Sequence, residues 1–468
     1  MAFAGAATHR VDCATPEWKT LAGLRELKFQ PGDRILLKSG CAWKGQLSIN
    51  GSGREGAPIV IDRYGKGSLP RIDGDGAVED AILIKNQEWI EVRNVEVTNR
   101  GTKPAVRRGV HVWLDDFGTA HHIALSGLYI HDVNGTNDRK DNGGIIWRTA
   151  GRTKPTRFDG LLIRKNIVWK VDRSAIAAQS AFVDRRRWFP SVNVVIRDNY
   201  VGDIGGDGIV PWASDGAVVD HNIATDCNRR AGSYNAGIWP WSCDNTVMRW
   251  NEAMWTRTLK DGQGFDSDYN SRNTLIEYNY SHDNEGGFLL ICTPKHDDPA
   301  RMVTNVDVEV RYNISRNDKT RTFHLPGPVE KVRVHDNAVY VQKGDVDNLV
   351  QFSDWKGWAD DVEFRSNQFI VEGEGRYGHE VKRFDDGSFE IAPGFGPAKN
   401  VRFTANVYAG NHKDKPEDPE AKTAPARVVR DWNSPIFDPS RPQAFGAFLK
   451  RHRAWMAATM KQQFGTRE

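Results

Sequence analysis

A short alternating run that ends in asparagine, then resumes with a second strand-forming stretch, recurs along most of this chain. It reads Glu91-Val-Arg-Asn94, Ile163-Arg-Lys-Asn166, Ile196-Arg-Asp-Asn199 and Val219-Asp-His-Asn222, and returns with asparagine at 251, 279, 313, 337, 367 and 406. Leu125-Ser-Gly127 fills the one long gap, with glycine at the asparagine position. Successive positions lie between 23 residues (199 to 222) and 39 residues (367 to 406) apart. Units of this length cannot bury an apolar face alone, so they stack into a solenoid. Asparagine tolerates left-handed backbone, and its amide can bond sideways. The ten asparagines are therefore expected to line one corner of successive coils as a ladder that shapes the fold and takes no part in chemistry.

Composition agrees with a narrow solenoid rather than a large globular core: 39% hydrophobic residues, with 44 glycines to make turns. A formal charge of +3 on 468 residues gives no reason to expect a nucleic-acid partner. No apolar run approaches the ~20 residues needed to span a bilayer. The five cysteines contain no CxxC pair, which argues against structural zinc; the one bridge considered, with no feature of the sequence behind it, is Cys227 to Cys243. The first ten residues lack a charged segment followed by a long apolar run. The expectation is a mature secreted or periplasmic chain.

The ends look different from the middle. Residues 16–28 place Trp18, Leu21, Leu24 and Leu27 at helical spacing, with Thr15 as N-cap and Pro16 at the first helical position. Residues 1–30 thus read as a cap with a short helix, and 31–410 as the solenoid. Residues 411–440 read as a surface linker; 441–463 space Phe445, Phe448, Leu449, Met456 and Met460 on one helical face, expected to dock on the solenoid.

The asparagine repeats, with the segments Pro31-Gly-Asp-Arg-Ile-Leu-Leu-Lys and Gly56-Ala-Pro-Ile-Val-Ile-Asp-Arg-Tyr-Gly65, resemble the pectate-lyase-like superfamily. The resemblance covers roughly residues 30–410. It implies an all-β chain, a single-stranded right-handed parallel β-helix with an N-terminal cap helix and a C-terminal helix, and a carbohydrate-active role.

A second strand follows each asparagine. Aligned by their glycines, these strands read Gly109-Val-His-Val-Trp113, Gly144-Ile-Ile-Trp147, Gly208-Ile-Val-Pro-Trp212, Gly237-Ile-Trp-Pro-Trp241, Gly264-Phe-Asp-Ser-Asp268 and Gly287-Phe-Leu-Leu-Ile291. Thr322-Phe-His-Leu325 and Leu349-Val-Gln-Phe352 follow in register. Side chains alternate across a strand. If the residue after each glycine points inward, one outward column runs His111, Ile146, Val210, Trp239, Asp266, Leu289, His324, Gln351, and the next contains Trp113, Trp212, Trp241, Asp268 and Ile291.

Asp266 and Asp268 therefore face out from one strand, beside tryptophans about 4.8 Å away on the next coil. Aromatic faces pack on sugar C–H groups while carboxyls carry out acid/base work. Asp266 and Asp268 are the candidate catalytic pair, with Glu285 and Asp207 in reserve. Asp261 opens the same stretch. Trp212, Trp239, Trp241, His111, His324, Arg257, Lys260 and Lys295 are the candidate substrate contacts. Cα atoms two residues apart on a strand lie ~6.7 Å from one another, which leans toward inverting geometry.

The paired acids are similar to those of β-helix glycoside hydrolases, in which they act as acid and base on the outer wall. The Asn-Thr-Asp, Gly-His-Gly and Arg-Ile-Lys triplets of polygalacturonases are absent. The reading is hydrolysis of a poly- or oligosaccharide, with no cofactor required. The chief rival is a polysaccharide lyase, with Arg229, Arg257, Lys260 or Lys295 as base and Ca²⁺ held by Asp203, Asp207, Asp266 and Asp268. A non-catalytic glycan-binding solenoid is the third.

Overall fold

The computed structural model describes residues 5–423 and residue 454. The chain divides into two compact units, one of residues 1–218 with 229–231, the other of 219–228 with the described residues from 232 onward. Each is a parallel β-helix, as expected. In the first, one wall stacks Arg34–Lys38, Ile59–Tyr64, Ile90–Arg93, Thr119–Ser126, Arg157–Arg164 and Ser191–Arg197 in parallel. A second wall stacks Asp80–Lys85, Arg108–Asp115, Gly143–Ala150 and Ser174–Ser180. In the second unit, Val247–Arg249, Arg272–Glu277, Val306–Arg311, Glu330–His335, Asp360–Arg365 and Lys399–Thr404 form one such wall. Gln263–Ser267, Gly287–Ile291, Thr320–Pro326 and Val346–Ser353 form another.

Inward residues of the second unit stack as rings. Phe265, Phe288, Phe323, Phe364 and Phe403 follow one another at centroid separations of 6.0, 5.4, 5.6 and 4.8 Å, and all five are buried. Burying each ring contributes about 1.5–3 kcal/mol.

The asparagine ladder is present, with one change of register. Asn222, Asn251, Asn279, Asn313, Asn337 and Asn367 each donate both the backbone N–H and the side-chain Nδ2 to the Oδ1 of the next, at 2.9–3.1 Å. Asn406 makes the same pair of bonds to Asp418, so a carboxylate ends the series. Asn166 and Asn199 repeat the pattern in the first unit. The left-handed residue is the one before each ladder asparagine, such as Trp250, Tyr278 and Tyr312, whose rings stack in a row. Asn94 and Gly127 occupy that left-handed position themselves, one residue early, and Asn94 bonds outward to Asp62. Asn94 is therefore not a rung.

The N-terminal cap differs from the expected helix. Pro16–Trp18 is a single 3-10 turn and Ala22–Glu26 one short α-helical turn, and Thr15 makes no side-chain cap. The parallel wall begins earlier than residue 31, because Thr8–Val11 pairs with Arg34–Lys38. Cys13 and Cys41 form a disulfide with Cα atoms 5.8 Å apart, whereas Cys227 and Cys243 remain buried thiols. The bridge closes one coil, a relation that cysteine spacing alone could not single out. The expected helix over 441–463 lies outside the described residues.

A second polar corner of the second unit holds two buried acids. Asp318 accepts from the Asn284 backbone and side chain and from Ser315, and Asp347 accepts from Thr322. Burial raises Asp318 to about 6 and Asp347 to about 7.

Two predictions follow from these corners. Asn313→Ala orphans buried donors and acceptors on both sides, and is expected to cost about 2–3 kcal/mol in a urea melt. Asp318 and Asp347 bind protons more tightly folded than unfolded, where a carboxyl titrates near 3.9. Their contribution is whole below pH ~4 and is lost as pH rises through 6 to 7. The wild type should therefore lose stability over that window relative to the Asp318→Asn/Asp347→Asn variant. A constant difference between the two melts would refute this.

Candidate active site

The strand Gln263–Ser267 carries the acids. Ile238 pairs with Phe265, and the N–H groups of Asp266 and Asp268 donate to the carbonyls of Ile238 and Pro240. Trp239 and Trp241 therefore flank Asp266 and Asp268, as their alternation requires. On the other side Phe265 pairs with Leu289 and Asp266 with Leu290, one residue later than the glycine alignment predicts. The outward neighbours there are Leu290 and Cys292, not Leu289 and Ile291.

That shift brings a thiol to the acids. Cys292 Sγ lies 3.1 Å from Asp268 Oδ1 and 4.0 Å from Asp266 Oδ1. One carboxylate oxygen of each aspartate and the sulfur all fall within 4.8 Å of one another. Burial, with the charges of Asp268, Asp266 and Asp261, pushes the thiol well above its ordinary range, so it acts as a hydrogen-bond donor. Asp266 is 4% exposed, while Asp268 and Asp261 are half-buried. One oxygen of the Asp266 carboxyl thus lies within 4.8 Å of one of the Asp268 carboxyl, nearer than the ~6.7 Å between Cα atoms two apart on a strand.

An aromatic face continues from Asp268. Trp241 meets the Tyr269 ring edge-on at 5.4 Å, and Tyr269 packs on His296 at 5.5 Å and Trp355 at 5.9 Å. Burial and the Asp268 charge push the Tyr269 hydroxyl up to about 12. Trp355 is 38% exposed, whereas Trp239 is only 5% exposed and packs as wall. Beyond His296 a groove of about 730 Å³ is lined by Lys295, His296, Arg272, Lys356 and Glu330.

Several of the other predicted residues are engaged elsewhere. Glu285 accepts from Arg257 at 3.1 Å and from the Thr258 N–H at 2.8 Å, a surface ion pair that also occupies Arg257. Asp207, in the first unit, is buried against Arg173 at 2.9 Å and Lys140 at 3.3 Å. His111, in the same unit, is not a surface histidine: it is buried, stacks on Trp113 and bonds to Asp80, and burial lowers its pKa. Trp212 is half-buried in the first unit. His324 is in the expected column yet buried, bonded through Nε2 to Ser353 at 2.8 Å. Lys260 is half-buried and Lys295 exposed. Sequence reasoning missed Cys292, Tyr269 and Trp355. Tyr269 had a signal, since it directly follows Asp268.

The burial of Cys292 is open to test. Native protein treated with iodoacetamide at pH 8 should leave Cys292 unmodified by mass spectrometry, with full modification after denaturation. Ready labelling of the folded chain would contradict the placement of the thiol.

No protein-family model matches the chain. A lacto-N-biosidase of Bifidobacterium longum subsp. longum is 29% identical over 423 aligned residues, covering 69% of this chain and 26% of that protein. The crystal structure of the GH136 lacto-N-biosidase from Eubacterium ramulus superposes with a TM-score of 0.63 at 28% identity, covering 73% of this chain and 65% of that one. Its selenomethionine derivative gives the same values. This chain thus spans about a quarter of the length of the first relative and about two thirds of the solved one. The chain is a parallel β-helix protein similar, in sequence and in fold, to β-helix glycoside hydrolases of the GH136 lacto-N-biosidase kind.

Proposed function

We propose that this chain, like its lacto-N-biosidase relatives by their name, is a glycoside hydrolase, and that it cleaves a glycosidic bond of an oligosaccharide at the Asp266 and Asp268 pair. The observation that carries the reading is the acid cluster set at the edge of an aromatic face. Hydrolysis needs one carboxyl to protonate the leaving-group oxygen and a second to act as nucleophile or base. Asp268 is half-buried, held by the Cys292 thiol and next to Tyr269, so it is assigned as the carboxyl that meets the substrate. Asp266, nearly closed off and sharing the Cys292 donor, is assigned as its partner carboxyl. Trp241, Tyr269 and Trp355 supply the face on which a sugar ring packs.

No observation favours the lyase. Its proposed base Arg257 is tied to Glu285 and Asp226, and Arg229 lies against Asp203. Asp203 also pairs with Arg230, and Asp207 with Arg173. The donor set around Asp266 and Asp268 includes a thiol, a poor match to the all-oxygen shell Ca²⁺ prefers. Secretion or export to the periplasm is part of the proposal; the Cys13–Cys41 disulfide supports an oxidising compartment.

The test is turnover of neutral oligosaccharides, followed both as reducing ends and as ultraviolet absorbance. Wild type should release reducing ends without a conjugated product. Asp268→Asn and Asp266→Asn should each lose about 10²–10⁴-fold in kcat, the usual worth of an acid/base group. Full activity in Asp268→Asn would overturn the site, and an absorbing product would overturn the reaction.

A further inference from the structure

The groove beyond His296 lies wholly in the second unit, and its floor starts from the first residues of stacked strands. Arg272 pairs with Val306 and Val306 with Glu330, so each stands one coil from the next. One side is the loop 294–304, which brings Lys295, His296 and Met302; the other brings Pro328 and Lys356. The Lys295 N–H donates to the Trp355 carbonyl at 3.2 Å. Val303 donates to Asn270 Oδ1 at 3.0 Å and accepts from the Asn270 N–H at 3.2 Å, which ties the loop to the chain just past Asp268. These bonds hold the walls without help from a ligand, and about 730 Å³ is the volume of an ordinary ligand site.

Three exposed cations line this space, Arg272, Lys295 and Lys356. Among the described residues none of their side chains makes an ion pair or a hydrogen bond. The one acid of the lining is Glu330, two coils from Arg272. Asp297, Asp298 and Asp354 stand on the bordering loops without lining the groove, and the pair at 266 and 268 does not line it either. Asp298 accepts from the Ala300 N–H at 3.0 Å and Asp354 from the Gly357 N–H at 2.8 Å, so each serves its own turn. Burial lowers the pKa of His296, against the pull of Asp297 and with the push of Lys356. The imidazole therefore adds no charge near neutral pH, and the lining carries three fixed positive charges to one negative.

We propose that this groove is a subsite for one acidic unit of the oligosaccharide, a sugar bearing a carboxylate or a sulfate ester, held by Arg272, Lys295 and Lys356. That the anion belongs to a sugar rests on the hydrolase reading. Tyr269 packs on His296 at 5.5 Å and on Trp355 at 5.9 Å, and Lys356 directly follows Trp355. A glycan lying along Trp241, Tyr269 and Trp355 therefore meets the three cations as it leaves the aromatic face. Carboxylate and sulfate oxygens suit guanidinium and ammonium donors, whereas a neutral unit gains nothing from them. Glu330 at the far end repels a second anionic unit, which favours a single acidic residue over a polyanionic chain. Because the cations are exposed, each contributes modestly and salt weakens the attraction.

The test is calorimetric binding of lactose, sialyl-lactose and lactose sulfate to the Asp268→Asn protein, at low and at high salt. At least one acidic probe should bind about fivefold tighter than lactose at low salt, and the advantage should shrink at high salt. A gain with sialyl-lactose alone identifies a carboxylate site and with lactose sulfate alone a sulfate site; either supports the inference. Adding Arg272→Gln, Lys295→Gln and Lys356→Gln together should erase the advantage, while Arg272→Lys with Lys356→Arg should keep it. If the triple variant fails to fold, Lys295→Gln with Lys356→Gln, both on loops, should at least halve the advantage. Equal binding of all three sugars, no binding of any, or an advantage that survives loss of the cations would overturn the inference. An acidic advantage in a chain that cleaves no glycan would keep this subsite and sink the hydrolase reading. Cleavage of neutral glycans with no acidic advantage would do the reverse.

Discussion

Everything positioned in this protein depends on coil-to-coil register. Parallel strands hold neighbouring coils about 4.8 Å apart, and an outward side chain finds its partners on the coils beside it rather than in its own sequence neighbourhood. The asparagine rungs help fix that register. Each locks a buried corner to the next by two hydrogen bonds to a single amide oxygen, and Asp418 closes the series. Slipping one coil by one residue exchanges its inward and outward faces. The acids at 266 and 268 share a site with Cys292 only because pairing places Leu290 and Cys292 opposite them.

The same dependence explains what the sequence shows and what it hides. The solenoid, its asparagine corner and the wall position of Asp266 and Asp268 are all legible, because each rests on periodicity. The identity of the next coil's outward residues is not. Two adjacent glycines, Gly286 and Gly287, leave the alignment open by one residue. A Cβ would come 1.7 Å from the Asp261 carbonyl at Gly286 and 1.5 Å from the Arg321 carbonyl at Gly287, so both positions need glycine and neither marks the register in the sequence. Alternation also says nothing of what covers a wall. His324 and Trp239 face outward as expected and are buried nonetheless. Asn94 looks like a rung in the sequence but occupies the left-handed position before it.

The second unit spends its polar burial in two different ways. At the ladder every donor meets an acceptor, which makes a rigid corner. Along the wall that carries Asp266, charge is left partly unbalanced. Carboxylates crowd a thiol at one end, and two nitrogens of the Arg321 guanidinium are left without a hydrogen-bond partner a few strands on. Native structures tolerate such imbalance mainly where it serves binding or chemistry. The likeness to lacto-N-biosidases and the aromatic face beside Asp268 point the same way.

The most direct measurement is a crystal structure of the Asp268→Asn protein with an uncleaved oligosaccharide bound. The expected result is a sugar ring packed on Trp241, Tyr269 or Trp355, with the scissile oxygen within hydrogen-bond reach of residue 268 or Asp266. A glycan bound on another wall, with residues 261 to 268 bare, would contradict it.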